Sequence, residues 1–194
     1  ELRWAKVRVP LPEKIDINQD EWEVLRLTNI ERYKKNCELL VIVAPLQDAA
    51  DIRAKEIKTD YRLDHKRPDG SSCFTAIDPN FRKHRRLGEN AAQSQVKPSQ
   101  VMNSWMNSPG HRANILTPHF CYFGTGVTGE YNYKYWIQMF SDGSGVIDAE
   151  TNTGSLKFDT LTELEMAYLI CTTGEGLKAY IPLDADYMVK NGNQ

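Results

Sequence analysis

The sequence predicts an α+β fold in one main domain, with something added at each end. Apolar residues recur at helical spacing over 22–33, 46–57 and 98–106, and alternating segments near 123–140 read as an antiparallel hairpin. A length of 194 residues is enough to bury a full core. The composition, 41% hydrophobic and 26% charged, is that of a folded chain and excludes wholesale disorder. With 24 Lys+Arg against 26 Asp+Glu the formal net charge is -2, so no general electrostatic pull toward nucleic acid is expected. The longest apolar run, Leu39 to Ala44, is six residues. A bilayer span takes roughly 20, so no transmembrane segment is expected.

Taken in order, residues 1–19 carry Pro10, Pro12 and the alternation Val7, Val9, Leu11, and read as an extended arm. From Asp20 the pattern turns helical. Asp20 can cap, Glu21 and Glu23 suit the positive helix N-terminus, and Trp22, Leu25, Ile30 and Tyr33 recur at near-helical spacing. Pro45 ends or restarts that element and stands at the first position of a second amphipathic helix through Leu46, Ala49, Ala50, Arg53 and Ile57. After Tyr61 the chain becomes loop-like. Arg67-Pro68-Asp69-Gly70 has the signature of a type I turn, and Pro68 pushes Arg67 toward an extended conformation. Arg82, Lys83, Arg85 and Arg86 around His84 read as a solvated loop, and 87–93 as a short strand.

Pro98 opens a third helix with Val101, Met102, Trp105 and Met106 on one side. Ser108-Pro109-Gly110 breaks it; Ser108 can then cap a short helix with Pro109 first and His111 third. Two alternating segments, 123–128 and 133–140, flank a turn at 129–132. The loop 141–145 is the expected boundary, giving a main domain of 20–145. Residues 146–194 hold a polar stretch and two strand-like segments, 167–172 and 177–183, read as a small β-rich C-terminal extension. Trp22, Trp105, Trp136 and Phe140 are assigned to the core, and no internal repeat is found.

Of the four histidines, His84 reads as solvated and His119 as a loop or packing residue. His65 and His111 differ because each sits beside a stiff Pro-anchored turn, which can hold a ligand or general base in one orientation. Near a helix start, His111 would have its protonated form disfavoured, and a neutral imidazole is what metal ligation requires. Glu89, between Gly88 and Asn90, adds a carboxylate. A two-histidine, one-carboxylate set could hold a divalent metal such as zinc, with Glu89 as direct ligand, as an acceptor that orients an imidazole, or as a catalytic base activating water. The same set could equally be a hydrogen-bonded polar cleft without an ion. Ser71, Ser72 and Ser108 lack the surroundings of a nucleophile elbow. Cys37, Cys73, Cys121 and Cys171 contain no Cys-x-x-Cys pair, which argues against a zinc ribbon. Two disulfides in three connectivities, or four thiols, fit equally.

Four segments carry a resemblance. The first two are 64–72 (Asp-His-Lys-Arg-Pro-Asp-Gly-Ser-Ser) and 88–92 (Gly-Glu-Asn-Ala-Ala). The third is 105–116, from Trp105 through Asn107-Ser108-Pro109-Gly110-His111 to Leu116, and the fourth is the strand 135–140. In that order they resemble the signatures of bacterial CAP-domain, or SCP-like extracellular, proteins. That superfamily also holds cysteine-rich secretory proteins, antigen 5 and pathogenesis-related type 1 proteins. The resemblance covers about residues 21–141 and implies a three-layer α-β-α sandwich around a small antiparallel sheet.

It also implies a cleft with two histidines and two acids that binds a divalent cation in several members. His65, Glu89 and His111 occupy three of those places, and Ser108 stands where eukaryotic members carry the fourth, an acid. The motif neighbours Arg67, Asp69, Asn90, Ser108 and Asn114 are expected to support the cleft. The family implies a secreted or cell-surface location, in keeping with a chain that opens on Glu1, as after removal of a signal peptide. A monomer is expected. Two functions follow: an extracellular ligand-binding or interaction module, for a lipid, peptide or cell-wall component, and a metal-dependent hydrolase in the same cleft.

Overall fold

Helix α1 (Gln19–Lys34) begins one residue before the expected Asp20, because Asn18 is the cap. The Asn18 Oδ1 accepts the Glu21 N–H at 3.0 Å, and the Glu21 carboxylate accepts the Asn18 N–H at 2.9 Å. This capping box satisfies two orphan donors where Asp20 alone would satisfy one. The computed structural model describes Ile15 and residues 17–144 in full, together with the backbone of strands before and after them.

The chain continues as β2 (Val41–Ile42), α2 (Ala44–Asp60), a short 3-10 turn (Cys73–Ala76), α3 (Pro79–Arg82), β3 (Leu87–Gln93), α4 (Pro98–Met106), α5 (Pro109–Ile115), β4 (Phe120–Glu130) and β5 (Tyr133–Asp142). The strands form one sheet in the order β2-β4-β5-β3. All neighbours are antiparallel except β2, which joins β4 in parallel. β2 is what the apolar run at Leu39–Ala44 becomes, so α1 ends well before Pro45 and Pro45 falls in the first turn of α2. The hairpin is longer than expected, and its turn narrows to Tyr131 and Asn132.

The period of two along β5 divides the core. Trp136 and Phe140 face Val24 and Leu25 of α1, Val101, Met102 and Trp105 of α4, and Ile115 of α5. Tyr135, Ile137 and Met139 face Leu46, Ala49, Ala50, Ala54 and Ile57 of α2. The result is the three-layer α-β-α sandwich. Trp105, Trp136 and Phe140 are fully buried as assigned, whereas Trp22 is only half-buried at the rim. α2 sits very close to the sheet because β4 offers glycines beneath it: a Cβ on Gly124 would lie 2.1 Å from the Leu46 carbonyl carbon.

Edge strand β3 is shielded by side chains. The Glu89 carbonyl accepts from Asn114 Nδ2 at 3.1 Å and the Ala91 carbonyl from Trp105 Nε1 at 3.4 Å, which removes two acceptors a foreign strand could pair with. The basic segment is not wholly solvated: Arg85 stacks over the Phe81 ring, 4.2 Å from its centroid, and Nη1 donates to the Asp142 carbonyl at 3.0 Å. A guanidinium can spend its donors on carbonyls while its plane covers a ring, so a charge run need not face water throughout.

At the ends, β1 (Arg3–Val9) pairs antiparallel with β6 (Asn152–Phe158), which falls in the stretch read only as polar. β7 (Ile170–Thr173), β8 (Gly176–Tyr180) and β9 (Asp186–Tyr187) form a separate antiparallel sheet. The expected segments 167–172 and 177–183 overlap β7 and β8; their other residues lie outside those described.

Candidate functional site

α2 ends at Tyr61 in the left-handed conformation, φ 53°, and the chain turns into the loop that carries His65. The expected four-residue turn is present: Gly70 N–H donates to the Arg67 carbonyl at 2.9 Å, with Gly70 at φ +82°. Around it the loop closes like a small hairpin. Arg67 N–H donates to Ser71 O at 2.9 Å, Lys66 and Ser72 form a β-bridge, and Cys73 N–H donates to His65 O at 2.9 Å. Asp69 accepts the Ser71 N–H at 2.9 Å and so braces the turn. Arg67 reaches back to Glu56 on α2 at 2.7 Å and ties the turn to the helix.

Glu89 lies on β3 with its side chain toward α2, where Arg53 meets it. Arg53 Nε donates to Glu89 Oε2 at 2.9 Å, Nη1 to Glu56 Oε2 and to the Lys66 carbonyl, each at 3.0 Å, and Nη2 to the Asp64 carbonyl at 2.8 Å. One buried guanidinium therefore fixes the carboxylate and the backbone on both sides of His65. The other Glu89 oxygen lies 2.8 Å from His65 Nδ1. A carboxylate only accepts, so Nδ1 carries the proton and Nε2 is the ring's available nitrogen when neutral. That hydrogen bond and the charge of Glu89 raise the His65 pKa above its ordinary value. Cys73 comes to the same carboxylate from the far side of the hairpin. Burial, then the charge of Glu89 and its hydrogen bond, push the thiol up to about 12.

His111 lies on α5, which is anchored to β3 by amides. Asn90 Nδ2 donates to the His111 carbonyl at 3.1 Å and to Gln138 Oε1 at 2.9 Å, and Asn114 Nδ2 donates to Asn90 Oδ1 at 2.9 Å. Gln138 Nε2 continues to Thr28 Oγ1 on α1 at 2.8 Å. The His111 pKa lies below the ordinary value, as expected, but burial is the main cause and the charge of His65 the second. Ser108 is the cap residue of α5 by position only. Its side chain makes no capping bond; its carbonyl accepts Arg112 N–H at 2.9 Å, and Pro109 sets the first turn.

Of the expected set, His65 and Glu89 are joined directly, with Asn90 and Asn114 beside them. Among the described residues, the donors that converge within 4.8 Å of one another are His65, Cys73 and Glu89. His111 is held near by α5 without joining that group. His84 and His119 are exposed. Cys37, Cys73 and Cys121 carry thiols, and the side chain of Cys171 lies outside the described residues. Sequence reasoning missed Arg53, Cys73 and Gln138 as parts of the site. The one available signal was an arginine on the apolar stripe of α2. Imidazole, carboxylate and thiol donors are a chemically suitable set for a borderline divalent ion such as zinc.

The CAP, cysteine-rich secretory protein family matches residues 25–140, and the chain belongs to that family, in its bacterial branch. YkwD of Bacillus subtilis (strain 168) is 35% identical over 120 residues, 62% of this chain and 46% of YkwD. The membrane protein YlbC of the same organism is 27% identical over 138 residues, 71% of this chain and 36% of YlbC. The chain thus spans less than half the length of these relatives. An extracellular protein containing an SCP domain from Bacillus anthracis str. Ames is similar at TM-score 0.56 and 25% identity, over 66% of this chain and 44% of that one. An outer surface protein of Borrelia burgdorferi shares the fold at TM-score 0.59 and 20% identity, over 68% of this chain and 98% of that one. Among the described residues no helix is long and apolar enough to cross a membrane.

Proposed function

We propose that the chain is a ligand-binding or interaction module of the cell surface or extracellular space, whose cleft takes a divalent metal such as zinc at His65 and His111. The supporting observation is the 2.8 Å contact between Glu89 and His65 Nδ1. A carboxylate behind an imidazole fixes its tautomer and presents the opposite nitrogen to a metal. His111, with its cationic form disfavoured, suits the same use. The similarity to an extracellular protein of Bacillus anthracis supports the location. A lipid, a peptide or a cell-wall component is the class of ligand proposed for such a cleft.

Binding is favoured over hydrolysis because Glu89 is buried and is held by Arg53 and His65 as a group that orients the imidazole. Calorimetry with zinc at neutral pH tests the metal claim: binding in the parent that is weakened in His111→Ala is expected, and no heat in the parent refutes it. A panel of ester, peptide and glycan substrates separates the two functions. Turnover abolished by His65→Ala in a folded protein would replace the binding reading with the hydrolase.

A further inference from the structure

We propose a thiol-containing metal centre on the inner side of His65, built from His65 Nδ1, Cys73 Sγ and the Glu89 carboxylate. It shares His65 and Glu89 with the cleft site proposed above but uses the other imidazole nitrogen, so the two are alternative states of His65; it does not require His111, so they can fail separately.

Three observations carry it. The three donors lie within 4.8 Å of one another. Tetrahedral coordination at about 2.0–2.3 Å from each donor sets them roughly 3.3–3.8 Å apart. The group is therefore within about an ångström of closure, and the exposed His65 side chain is the member able to turn while its backbone stays fixed. The trio is also locked in register by the backbone: Cys73 N–H donates to His65 O at 2.9 Å, the Lys66–Ser72 bridge closes the hairpin, and Arg53 holds Glu89 and the carbonyls of Asp64 and Lys66. Finally, exposure is divided as an entry path requires. Cys73 and the Glu89 side chain are 1% exposed, whereas the His65 side chain is 62% exposed, so an ion reaches the buried donors from the His65 side.

The chemistry balances without a co-reactant. Besides the bond from Arg53, the Glu89 carboxylate accepts two hydrogen bonds, from Nδ1–H of His65 and from the thiol of Cys73. A divalent ion takes their place. The thiol proton leaves to solvent as the metal–sulfur bond forms. The imidazole proton transfers to Nε2 through solvent, which leaves the ring neutral and Nδ1 as the ligand. No oxidation state changes. Arg53 stays paired with Glu89 Oε2, so Oε1 is the ligating oxygen. The thiolate selects a thiophilic ion, zinc or cobalt(II), over magnesium or calcium.

The test is a cobalt(II) titration of the parent, Cys73→Ser, Cys73→Ala and His111→Ala, followed by zinc competition. The centre predicts a near-ultraviolet thiolate-to-cobalt charge-transfer band in the parent and in His111→Ala. The band should be absent from both Cys73 variants, and zinc affinity in them should fall by at least roughly tenfold. Calorimetry of the parent in buffers of different ionisation enthalpy, at a pH above the titration of His65, gives a readout that needs no variant. One proton released per zinc is expected. Zinc binding with no cobalt thiolate band, abolished in His111→Ala, would overturn this centre and leave the cleft reading standing. A band that persists without Cys73 would also overturn it, and no metal binding in the parent would overturn both.

Discussion

Replacing Arg53 with Met removes the buried group that ties both Glu89 and the backbone around His65 to α2, while keeping a side chain of similar length. Arg53 and Glu89 side chains are each 1% exposed, so the carboxylate left behind cannot recover its interactions from water. Breaking a buried pair by deleting one partner costs about 3–5 kcal/mol. Against a domain stability of about 5–15 kcal/mol this is a large fraction. With a urea slope of about 2 kcal/mol per molar, the unfolding midpoint should fall by roughly 1.5–2.5 M. The control is the double variant Arg53→Met/Glu89→Gln, which removes the orphaned charge as well. It should be more stable than the sum of the singles predicts, by about 1–3 kcal/mol. Urea titration followed by tryptophan fluorescence measures all four proteins. An Arg53→Met cost below about 1 kcal/mol, or simple additivity, would refute the buried pair as the anchor of the site.

Three further outcomes are expected. Glu21 is raised from 4.5 to about 7, chiefly by burial, with the charge of Asp51 adding to it. Folding therefore takes up a proton between those values, and stability should fall as pH rises through the window, by on the order of 3 kcal/mol in all. Glu21→Gln should flatten that slope in urea titrations at a series of pH values; an unchanged slope contradicts the assignment. Gly124→Ala should lower stability by about 1–3 kcal/mol or more, since its Cβ meets the backbone of Leu46, and a Tm equal to the parent's would mean α2 yields freely. Asn18→Ala should cost about 1 kcal/mol through the lost capping box, read as a Tm fall of roughly 2–4 °C, and a Tm equal to the parent's would contradict the cap.

Local rules made much of the fold legible. Pro98 and Pro109 mark the starts of α4 and α5 because proline's missing N–H is harmless there, and the alternation through 133–140 names the two faces of β5. β2 was not legible, since a two-residue strand inside an apolar run leaves no periodicity to read. The cap of α1 shifted because the reciprocal Asn18–Glu21 bonds outcompete a single carboxylate. At the site, His65 and Glu89 emerged from motifs and turn chemistry. Arg53 did not, because on a helix it reads as one more residue of an amphipathic stripe. Its partners at Asp64, Lys66 and Glu89 come together only when the loop and the edge strand fold against α2. Cys73 reads in the sequence as a disulfide partner or a thiol and not as part of the site, because its bond to the His65 backbone depends on the hairpin closing around Gly70.

The central claim is that Glu89 holds His65 at the sheet edge, and the titration of His65 by NMR in the parent and in Glu89→Gln tests it most directly. The hydrogen bond to Glu89 raises the His65 value above the ordinary 6.5, while burial holds His111 below it. Protonated His65 thus contributes stability that is complete below about 6.5 and is lost as pH rises through its raised value in the folded state. In Glu89→Gln, His65 should titrate at or below 6.5, with His111 still the lower of the two. A His65 value that does not move when Glu89 is neutralised would contradict the account.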